Sequence, residues 1–179
     1  MCLVCHRAVP LFINPNNSIY AGKKRCTKGR MIHLDMLVEM ELSRILIREI
    51  SDAQFIELHE VNGTRRFPIV VGKPEAYAID RRLKGIEPER PQTHELLADI
   101  IQTLGGTLQK IVIDDLTDGT FFAKLFIQQA EAVIVIDSRP SDAIALGVAV
   151  QVPIFVEEHV LDEVEKDLDA PETPDDFGW

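Results

Sequence analysis

The stretch between positions 53 and 71 reads AQFIELHEVNGTRRFPIVV, and it decides the fold class of this chain. Apolar and polar side chains alternate over residues 53–61, which is typical of a strand with one buried face. Asn62-Gly63 follows as the strongest short-range signal for a hairpin turn. Residues 64–71 then predict the returning strand. The stretch therefore predicts an antiparallel β-hairpin.

A second hairpin is predicted over residues 108–116 and 120–128, around the turn Thr117-Asp118-Gly119. Residues 42–50 alternate and predict one more half-buried strand. Residues 132–136 are continuously apolar and predict a central strand that is covered on both faces. A short buried strand is expected over residues 152–156.

Four helices are predicted from apolar side chains that recur every three or four residues. The first begins at Pro74, and the second begins after Thr93 as N-cap and ends at Gly105-Gly106. The third begins at Pro140 or Ser141. The apolar positions that mark one face of each helix are Ala76, Ile79, Leu83, Ile86, Leu96, Leu97, Ile100, Ile101, Leu104, Val160, Leu161, Val164 and Leu168. Two hairpins, a buried central strand and about four helices, without regular strand–helix alternation, favour a single compact α+β domain.

The predicted domain covers residues 40–168. Residues 1–39 are expected to form a poorly ordered extension, because prolines, asparagines and the basic run Lys23-Lys24-Arg25 break any periodicity. A start codon placed too early would account for part of this stretch, and a basic arm that binds nucleic acid is the alternative. Residues 169–179 are expected to be an acidic tail that is disordered or only locally docked.

The composition limits the classes of function. The 179 residues include 19 Lys and Arg against 29 Asp and Glu, a net charge of −10, and ten of the acidic residues lie in residues 157–179. The domain itself is therefore only mildly acidic. This disfavours extended non-specific binding of nucleic acid but permits a local binding site. No apolar run approaches the ~20 residues that span a bilayer. We expect a cytoplasmic protein without membrane contact.

The three cysteines, Cys2, Cys5 and Cys26, all lie in the N-terminal extension. Together with His6 they supply the four ligands of a zinc site, which stays open as a less favoured interpretation. The domain has no cysteine, as expected in a reducing compartment.

The first stretch with candidate binding or catalytic residues is Arg90-Pro91-Gln92-Thr93-His94-Glu95. The backbone N–H groups at a helix start bind anions, and Arg90 adds a planar fork that suits phosphate. A purely structural interpretation is also open. In it Thr93 caps the helix, Glu95 favours the positive end of the helix, and His94 is a surface residue.

The second such stretch is Asp137-Ser138-Arg139-Pro140-Ser141-Asp142, at the junction of a strand and a helix. Asp137 and Asp142 have the carboxylates that a hard divalent cation prefers, and Arg139 suits bidentate binding of phosphate. The structural interpretation is that Ser138 or Ser141 caps the helix while Arg139 pairs with a carboxylate.

Convergence of the two stretches would create a site for phosphodiester hydrolysis. Such a site needs carboxylates for Mg²⁺ or Mn²⁺, a histidine for proton transfer and arginine for the transition-state charge. The common P-loop, GxGxxG, GxSxG and HExxH signatures are absent from the sequence.

In this order and at this spacing, the two stretches resemble the bifunctional nuclease domain family, and the similarity spans about residues 40–165. The residues that carry it are Met40-Glu41-Leu42, Phe67-Pro68-Ile69-Val70-Val71-Gly72, Glu75-Ala76, Arg90 to Leu97, Asp137 to Leu146 and Pro153-Ile154-Phe155-Val156. The resemblance implies a small α+β domain that self-associates, with nuclease activity on DNA and RNA in some members. Glu95 stands where Asp is common in that pattern.

We therefore predict a nuclease-like phosphodiesterase acting on DNA or RNA, assisted by Mg²⁺ or Mn²⁺, in a homo-oligomer. The predicted catalytic residues are His94, Glu95, Asp137, Arg139 and Asp142, the substrate-binding residues are Arg90, Thr93 and Ser141, and the metal ligands are Asp137 and Asp142. One alternative is a non-enzymatic oligomeric domain that binds an anionic small ligand or a protein partner at the same cleft. The other is an interaction module in which both stretches only cap helices.

Overall fold

A seven-stranded mixed β-sheet and four helices form the fold in the computed structural model, which describes residues 36–51 and 53–169. The strands are β1 (Leu37–Leu46), β2 (Ala53–Glu60), β3 (Arg66–Gly72), β4 (Gly106–Thr117), β5 (Thr120–Gln129), β6 (Ala132–Ser138) and β7 (Ile154–Glu157). The helices are α1 (Lys73–Leu83), α2 (Thr93–Thr103), α3 (Pro140–Val150) and α4 (Glu158–Asp169). In these ranges no helix combines the length and the apolarity needed to cross a bilayer.

Both predicted hairpins are confirmed. β2 pairs antiparallel with β3, and β4 pairs antiparallel with β5. The β4–β5 turn consists of Asp118 and Gly119, whose φ angles are 50° and 72°. Two consecutive positive φ angles define the turn that matches the twist of a hairpin, and glycine adopts this conformation without steric cost.

The strands are arranged in the order β3-β2-β1-β7-β4-β5-β6. β7 lies in the centre, antiparallel to β1 and parallel to β4. The short strand expected near residues 152–156 is therefore internal, and its side chains Ile154 and Val156 are buried. Consecutive strands pair mostly as antiparallel neighbours, so the predicted α+β class is confirmed.

The core lies between the sheet and the helices α1 and α3, which also pack on each other. Ile56, Ile111 and Ile144 are fully buried in it. The sheet curls strongly. Phe67 of β3 and Phe121 of β5 stack with ring centroids 5.5 Å apart, although four strands lie between β3 and β5 in the sheet.

The prediction of a covered central strand at residues 132–136 is wrong. β6 lies at the edge of the sheet, with β5 as its one neighbour among the described strands, and residues 133–136 are 36–52% exposed. A continuous apolar run shows that both faces of a strand are apolar. It does not show that other elements of the same chain cover them.

Two of the apolar stripes are only partly covered by the described chain. Leu83 and Ile86, at and beyond the end of α1, are exposed. In α2, Leu97 and Ile100 are 38% and 45% exposed, and no side chain of this helix is buried. Leu104, directly after its end, is 67% exposed. Periodicity predicted the helices correctly, but it does not tell how much of an apolar face the chain itself covers.

The first strand is displaced from its predicted position at residues 42–50. β1 begins at Leu37, within the predicted extension, because its first residues pair with β7. It ends at Leu46, since the buried side chain of Gln54 binds the backbone of Arg48 instead of letting the ladder continue. The Gln54 Nε2 donates to the Arg48 carbonyl at 3.1 Å, and its Oε1 accepts from the Arg48 N–H.

The predictions for the chain ends fall outside the described residues. These are the extension up to residue 35, including Cys2, Cys5, His6 and Cys26, and the acidic tail from residue 170.

Gly147 sets the close approach of α3 to the sheet, and this generates a prediction. A Cβ at this position would overlap Cδ1 of the buried Ile111 and lie 3.1 Å from Cγ2 of Val152. We expect Gly147→Val to lower the free energy of unfolding by about 2 kcal/mol through overpacking. Urea denaturation monitored by circular dichroism measures this free energy of unfolding. The exposed Ala149→Val on the same helix serves as control, and an equal loss in both variants would contradict the packing argument.

Candidate functional site

The first turns of three helices meet at one place. Glu75 lies in the first turn of α1, His94 in that of α2, and Asp142 in that of α3, next to the N-cap Arg139. Contacts between these side chains join the three helix starts, so the two motif stretches converge. Each start presents backbone N–H groups without helical partners, and their partial positive charge favours an anion.

Asp142 is the centre of this cluster. Its Oδ2 accepts a hydrogen bond from Nε of Arg139 at 2.8 Å, and its Oδ1 accepts one from Nη2 of Arg139 at 3.2 Å. The same Oδ1 lies 3.1 Å from Nε2 of His94. Although burial raises the pKa of the Asp142 carboxyl, the hydrogen bonds from Arg139 and His94 outweigh it and lower the pKa below its ordinary value.

The ionised Asp142 decides the tautomer of His94. A carboxylate only accepts hydrogen bonds, so Nε2 of the imidazole carries a proton. In the neutral ring Nδ1 then holds the lone pair, and no described residue binds this atom. The His94 side chain is 13% exposed. The carboxylate therefore orients an imidazole whose other nitrogen is available to accept a proton.

Arg139 is the exposed member of the cluster. Its Nη2 also contacts Oε1 of Glu75 at 3.1 Å, yet 65% of its side chain remains accessible. Nε and Nη2 are engaged by carboxylates, whereas Nη1 binds no described residue. This nitrogen can donate to an anionic ligand.

Arg139 borders a cleft of about 330 Å³. The cleft is formed by β3 from Pro68 to Gly72, by the start of β5, and by Arg139, Pro140 and Ser141 at the start of α3. It exists because the sheet curls until β3 approaches β5, as the stacked Phe67 and Phe121 show. Its size lies at the lower end of the range for pockets that hold small ligands.

Glu95 belongs to a second network behind this cluster. Its carboxylate accepts hydrogen bonds from Nη2 of Arg81 at 2.9 Å and from Nη1 of Arg82 at 3.0 Å. Arg82 in turn donates from Nε to the carbonyl oxygen of Ala145 at 2.6 Å. The network therefore links α2 to α1 and α1 to α3.

Glu95 also determines where α2 begins. Its Oε2 accepts the backbone N–H of Gln92 at 3.0 Å, half of a capping box, so Gln92 is the N-cap and Thr93 the first helical residue. The prediction that Thr93 caps the helix is thus wrong. Burial raises the pKa of the Glu95 carboxyl, but the hydrogen bonds from Arg81, Arg82 and Gln92 lower it to about 2.

The start of α3 likewise differs from the interpretation in which Ser138 or Ser141 caps the helix. Its N-cap is Arg139, and no side chain caps the helix. Ser138 donates to the Arg139 carbonyl at 3.0 Å, and Ser141 is buried in the wall of the cleft. Neither serine caps α3, while the expected pairing of Arg139 with a carboxylate is present.

Asp137, Arg90 and Thr93, which were also predicted as site residues, make no contact with the cluster. Asp137 lies directly across from Lys124 in the β5–β6 pair, and Lys124 is bound to Asp114. Arg90 and Thr93 are exposed at the start of α2, and within the described part of the chain no side-chain contact of either is found.

The acidic side chains do not form a metal site as they are arranged. Both oxygens of Asp142 are engaged by Arg139 and His94, and Asp137 has no contact with either of these residues. Over the described ranges, no group of three or more His, Cys, Asp or Glu is placed to hold a cation. The predicted ligands Asp137 and Asp142 therefore do not fit a resident Mg²⁺ or Mn²⁺ in this arrangement.

Glu75, Arg81 and Arg82 were not among the residues predicted for the site from the sequence. Arg82 is 7% and Arg81 is 19% exposed. A signal for Arg82 was present, because it follows the buried Ala78 and Ile79 by four and three residues and so lies on the same helix face. Glu75 was noted only as part of the family resemblance, because its partner Arg139 is distant in sequence.

Comparison with known proteins identifies a family model and relatives of this chain. A family model described as bifunctional nuclease domain matches residues 56–169, which include every predicted site residue. Uncharacterized protein Rv1829 of Mycobacterium tuberculosis strain H37Rv is 41% identical over 123 residues, covering 69% of this chain and 73% of the relative. The protein MT1877 of strain CDC 1551 matches equally. Bifunctional nuclease 1 of Arabidopsis thaliana is 23% identical over 96 residues, covering 52% of this chain and 30% of the plant protein.

The network around Glu95 predicts a pH dependence of stability. The pKa of Glu95 is about 2 in the folded chain and about 4.3 in an unfolded one. A carboxyl with a lowered folded pKa contributes stability that is complete above the unfolded pKa and is lost as pH falls through the folded pKa. The free energy of unfolding should therefore fall between about pH 5 and pH 2. We expect Glu95→Gln to lower the free energy of unfolding by about 2 kcal/mol at pH 7. The free energy of unfolding of this variant should also fall less as the pH is lowered.

Urea denaturation at several pH values measures both effects. The exposed Glu87→Gln in the loop before α2 is the control and should resemble the wild type. An unchanged acid dependence in Glu95→Gln would refute the assignment of this stability to Glu95.

Proposed function

The chain belongs to the bifunctional nuclease domain family, and from this membership we propose that it is a phosphodiesterase that hydrolyses DNA or RNA. The observation that carries the proposal is the contact of His94 with Asp142, 3.1 Å apart, beside the exposed Arg139 at the edge of a cleft. A proton acceptor, its orienting carboxylate and a phosphate-binding cation are the groups that this reaction uses.

Arg139 would bind the phosphate of the substrate. Its Nη1 is unengaged among the described residues and lies on an accessible guanidinium at the start of α3. The unsatisfied backbone N–H groups of that helix start add further donors. Asp142 and Glu75 hold the guanidinium in place, so little conformational entropy is lost when phosphate binds.

His94 would act as the general base. Because Asp142 holds Nε2–H, Nδ1 can accept a proton from water as the water oxygen attacks phosphorus. The new P–O bond forms while the bond from phosphorus to the leaving sugar oxygen breaks. That oxygen takes up a proton from solvent, and the imidazolium later returns its proton to solvent. Arg139 would stabilise the negative charge on the phosphoryl oxygens during this step. Asp142 would stabilise the imidazolium that forms.

Several finer points remain predictions. Assistance by Mg²⁺ or Mn²⁺ is one, since the described carboxylates do not form a cation site by themselves. The cytoplasmic location and the choice between DNA and RNA are others. Arg90 and Thr93, exposed at the start of α2, would extend the contact along the phosphate backbone.

A non-enzymatic binding function at the same cleft is the second candidate. The favouring observation is that Asp142 and Glu75 already neutralise Arg139. A bound anion would compete with these two carboxylates for the guanidinium of Arg139. Binding without hydrolysis would then change which groups pair with Arg139. Saturable binding of a short oligonucleotide that Arg139→Ala abolishes, without cleavage under any condition, would establish this function.

The proposed reaction predicts the effect of substitutions in the cluster. We expect the wild type to cleave labelled single- or double-stranded DNA or RNA. His94→Ala and Asp142→Asn should lower the rate by about a hundredfold or more, because general acid–base catalysis contributes this much. Arg139→Ala should weaken substrate binding as well. Gel assays with Mg²⁺, with Mn²⁺ and with EDTA measure these effects.

Matched controls separate the site from contamination. His59→Ala replaces a half-exposed histidine of β2, and Asp162→Asn replaces an exposed aspartate of α4. Both should retain the wild-type rate. Equal cleavage by all variants would place the activity elsewhere and overturn the proposal. Cleavage that persists in EDTA would refute only the predicted metal assistance.

A further inference from the structure

The outer edge of β3 forms one side of the cleft beside Arg139. β3 has β2 as its one neighbour among the described strands, and residues 68–72 of β3 line the cleft. Residues 119–121 and the start of α3 line its other side. The cleft is therefore bounded by a strand whose outer backbone groups are not paired within the described sheet.

The register of the β2–β3 pair decides which backbone groups of β3 face outward. The N–H of Glu60 donates to the carbonyl of Arg65 at 2.9 Å, and the register continues without a shift to the end of β3. Bonded and non-bonded residue pairs alternate in an antiparallel ladder, so Phe55 and Val70 form a non-bonded pair. The N–H and C=O of Val70 therefore point away from β2. Pro68 has the same orientation, and its missing N–H removes no bond of the ladder.

The side chains around these backbone groups are mostly apolar. Pro68, Val70 and Pro140 line the cleft together with Phe121, whose ring stacks on Phe67. The volume of about 330 Å³ lies within the range of pockets that hold small organic ligands. Apolar walls beside a neighbouring donor and acceptor suit a nucleobase, because a base has apolar faces and a polar edge.

The charge of the chain indicates that phosphate contacts alone would bind weakly. The net charge is −10, and Asp142 and Glu75 already pair with Arg139. Binding through the phosphate backbone alone depends on several lysines or arginines that displace counterions. The lining of this cleft contains one arginine. Contacts with a base would therefore have to supply a large part of the affinity.

We propose that the cleft binds one unpaired base of a nucleic acid while Arg139 binds a phosphate of the same strand. The N–H and C=O of Val70 bind the polar edge of the base, and Pro68, Phe121 and Pro140 cover its faces. This inference rests on the proposed function and specifies its substrate class, a strand with a single-stranded segment. In a duplex, pairing occupies the edge of each base and stacking covers its faces, so a base enters only after it is unstacked.

An extended peptide is the other polymer that binds the edge of a strand, because it continues the backbone ladder. Two observations favour the base. Pro68 has no N–H to offer to such a ladder. Arg139 and the start of α3 border the cleft, and both favour a phosphate group.

Fluorescence anisotropy tests the proposal through binding, which separates it from hydrolysis. The probes are a labelled single strand of mixed sequence, the same backbone with abasic residues throughout, and a blunt-ended duplex of that sequence, all in EDTA. We expect the single strand to bind the wild type about tenfold or more tightly than either of the other probes, because contact with one base contributes this much.

Two substitutions change the cleft itself. Val70→Pro removes the outward N–H without removing a ladder bond, and Thr120→Met places a longer side chain in the cleft wall. Each should lower the affinity for the single strand about fivefold or more and leave the affinity for the abasic strand unchanged. The control is Thr117→Met, because Thr117 lies opposite Thr120 in the β4–β5 pair and outside the cleft lining. It should keep the wild-type preference.

The outcomes distinguish this inference from the proposed hydrolysis. Circular dichroism verifies that the variants are folded, and either cleft variant suffices if the other does not fold. Equal binding of the single strand and the abasic strand, or a preference that the folded cleft variants retain, would overturn the base-binding cleft even if the chain cleaves nucleic acid. A preference that is lost in these variants, without cleavage by the wild type, would support the cleft and refute hydrolysis. If no probe binds, the inference is wrong and the extended peptide becomes the favoured ligand.

Discussion

The candidate site depends on the hydrogen bonds that the carboxylate of Glu95 accepts. It receives hydrogen bonds from Arg81 and Arg82 of α1 while it holds the backbone N–H that starts α2. Arg82 also donates to the carbonyl of Ala145 in α3. One ionised side chain thus sets the mutual positions of three helices. Because a partly buried carboxylate is stable only with such partners, the network has little freedom to rearrange.

The geometry of the site follows from this arrangement of helices. Once the first turns of α1, α2 and α3 are held together, their acidic residues and the N-cap Arg139 come within contact distance. Three helix starts concentrate partial positive charge at one point, and Glu75 and Asp142 offset it in the absence of a ligand. An incoming phosphate would take over part of that role. The curled sheet completes the site, because β3 forms the far wall of the cleft beside Arg139.

The sequence predicted the local features well and the long-range ones poorly. Hairpin turns and helix starts depend on neighbouring residues, so Asn62-Gly63, Asp118-Gly119 and Pro140 were recognisable. The two motif stretches were also recognisable, but their convergence depends on contacts such as His94 with Asp142, 48 residues apart. The edge position of β6 was not predictable, because an apolar run looks the same wherever its strand lies in the sheet.

Glu95 illustrates how a motif can combine two functions in adjacent residues. On a helix, neighbouring positions point about 100° apart, so His94 and Glu95 cannot face the same ligand closely. His94 faces Asp142 at the candidate site, while Glu95 faces the arginines of α1. Its longer side chain reaches two guanidinium groups and its own helix start at once. We therefore assign Glu95 a positioning role, through which the helix start that carries His94 is held against Asp142.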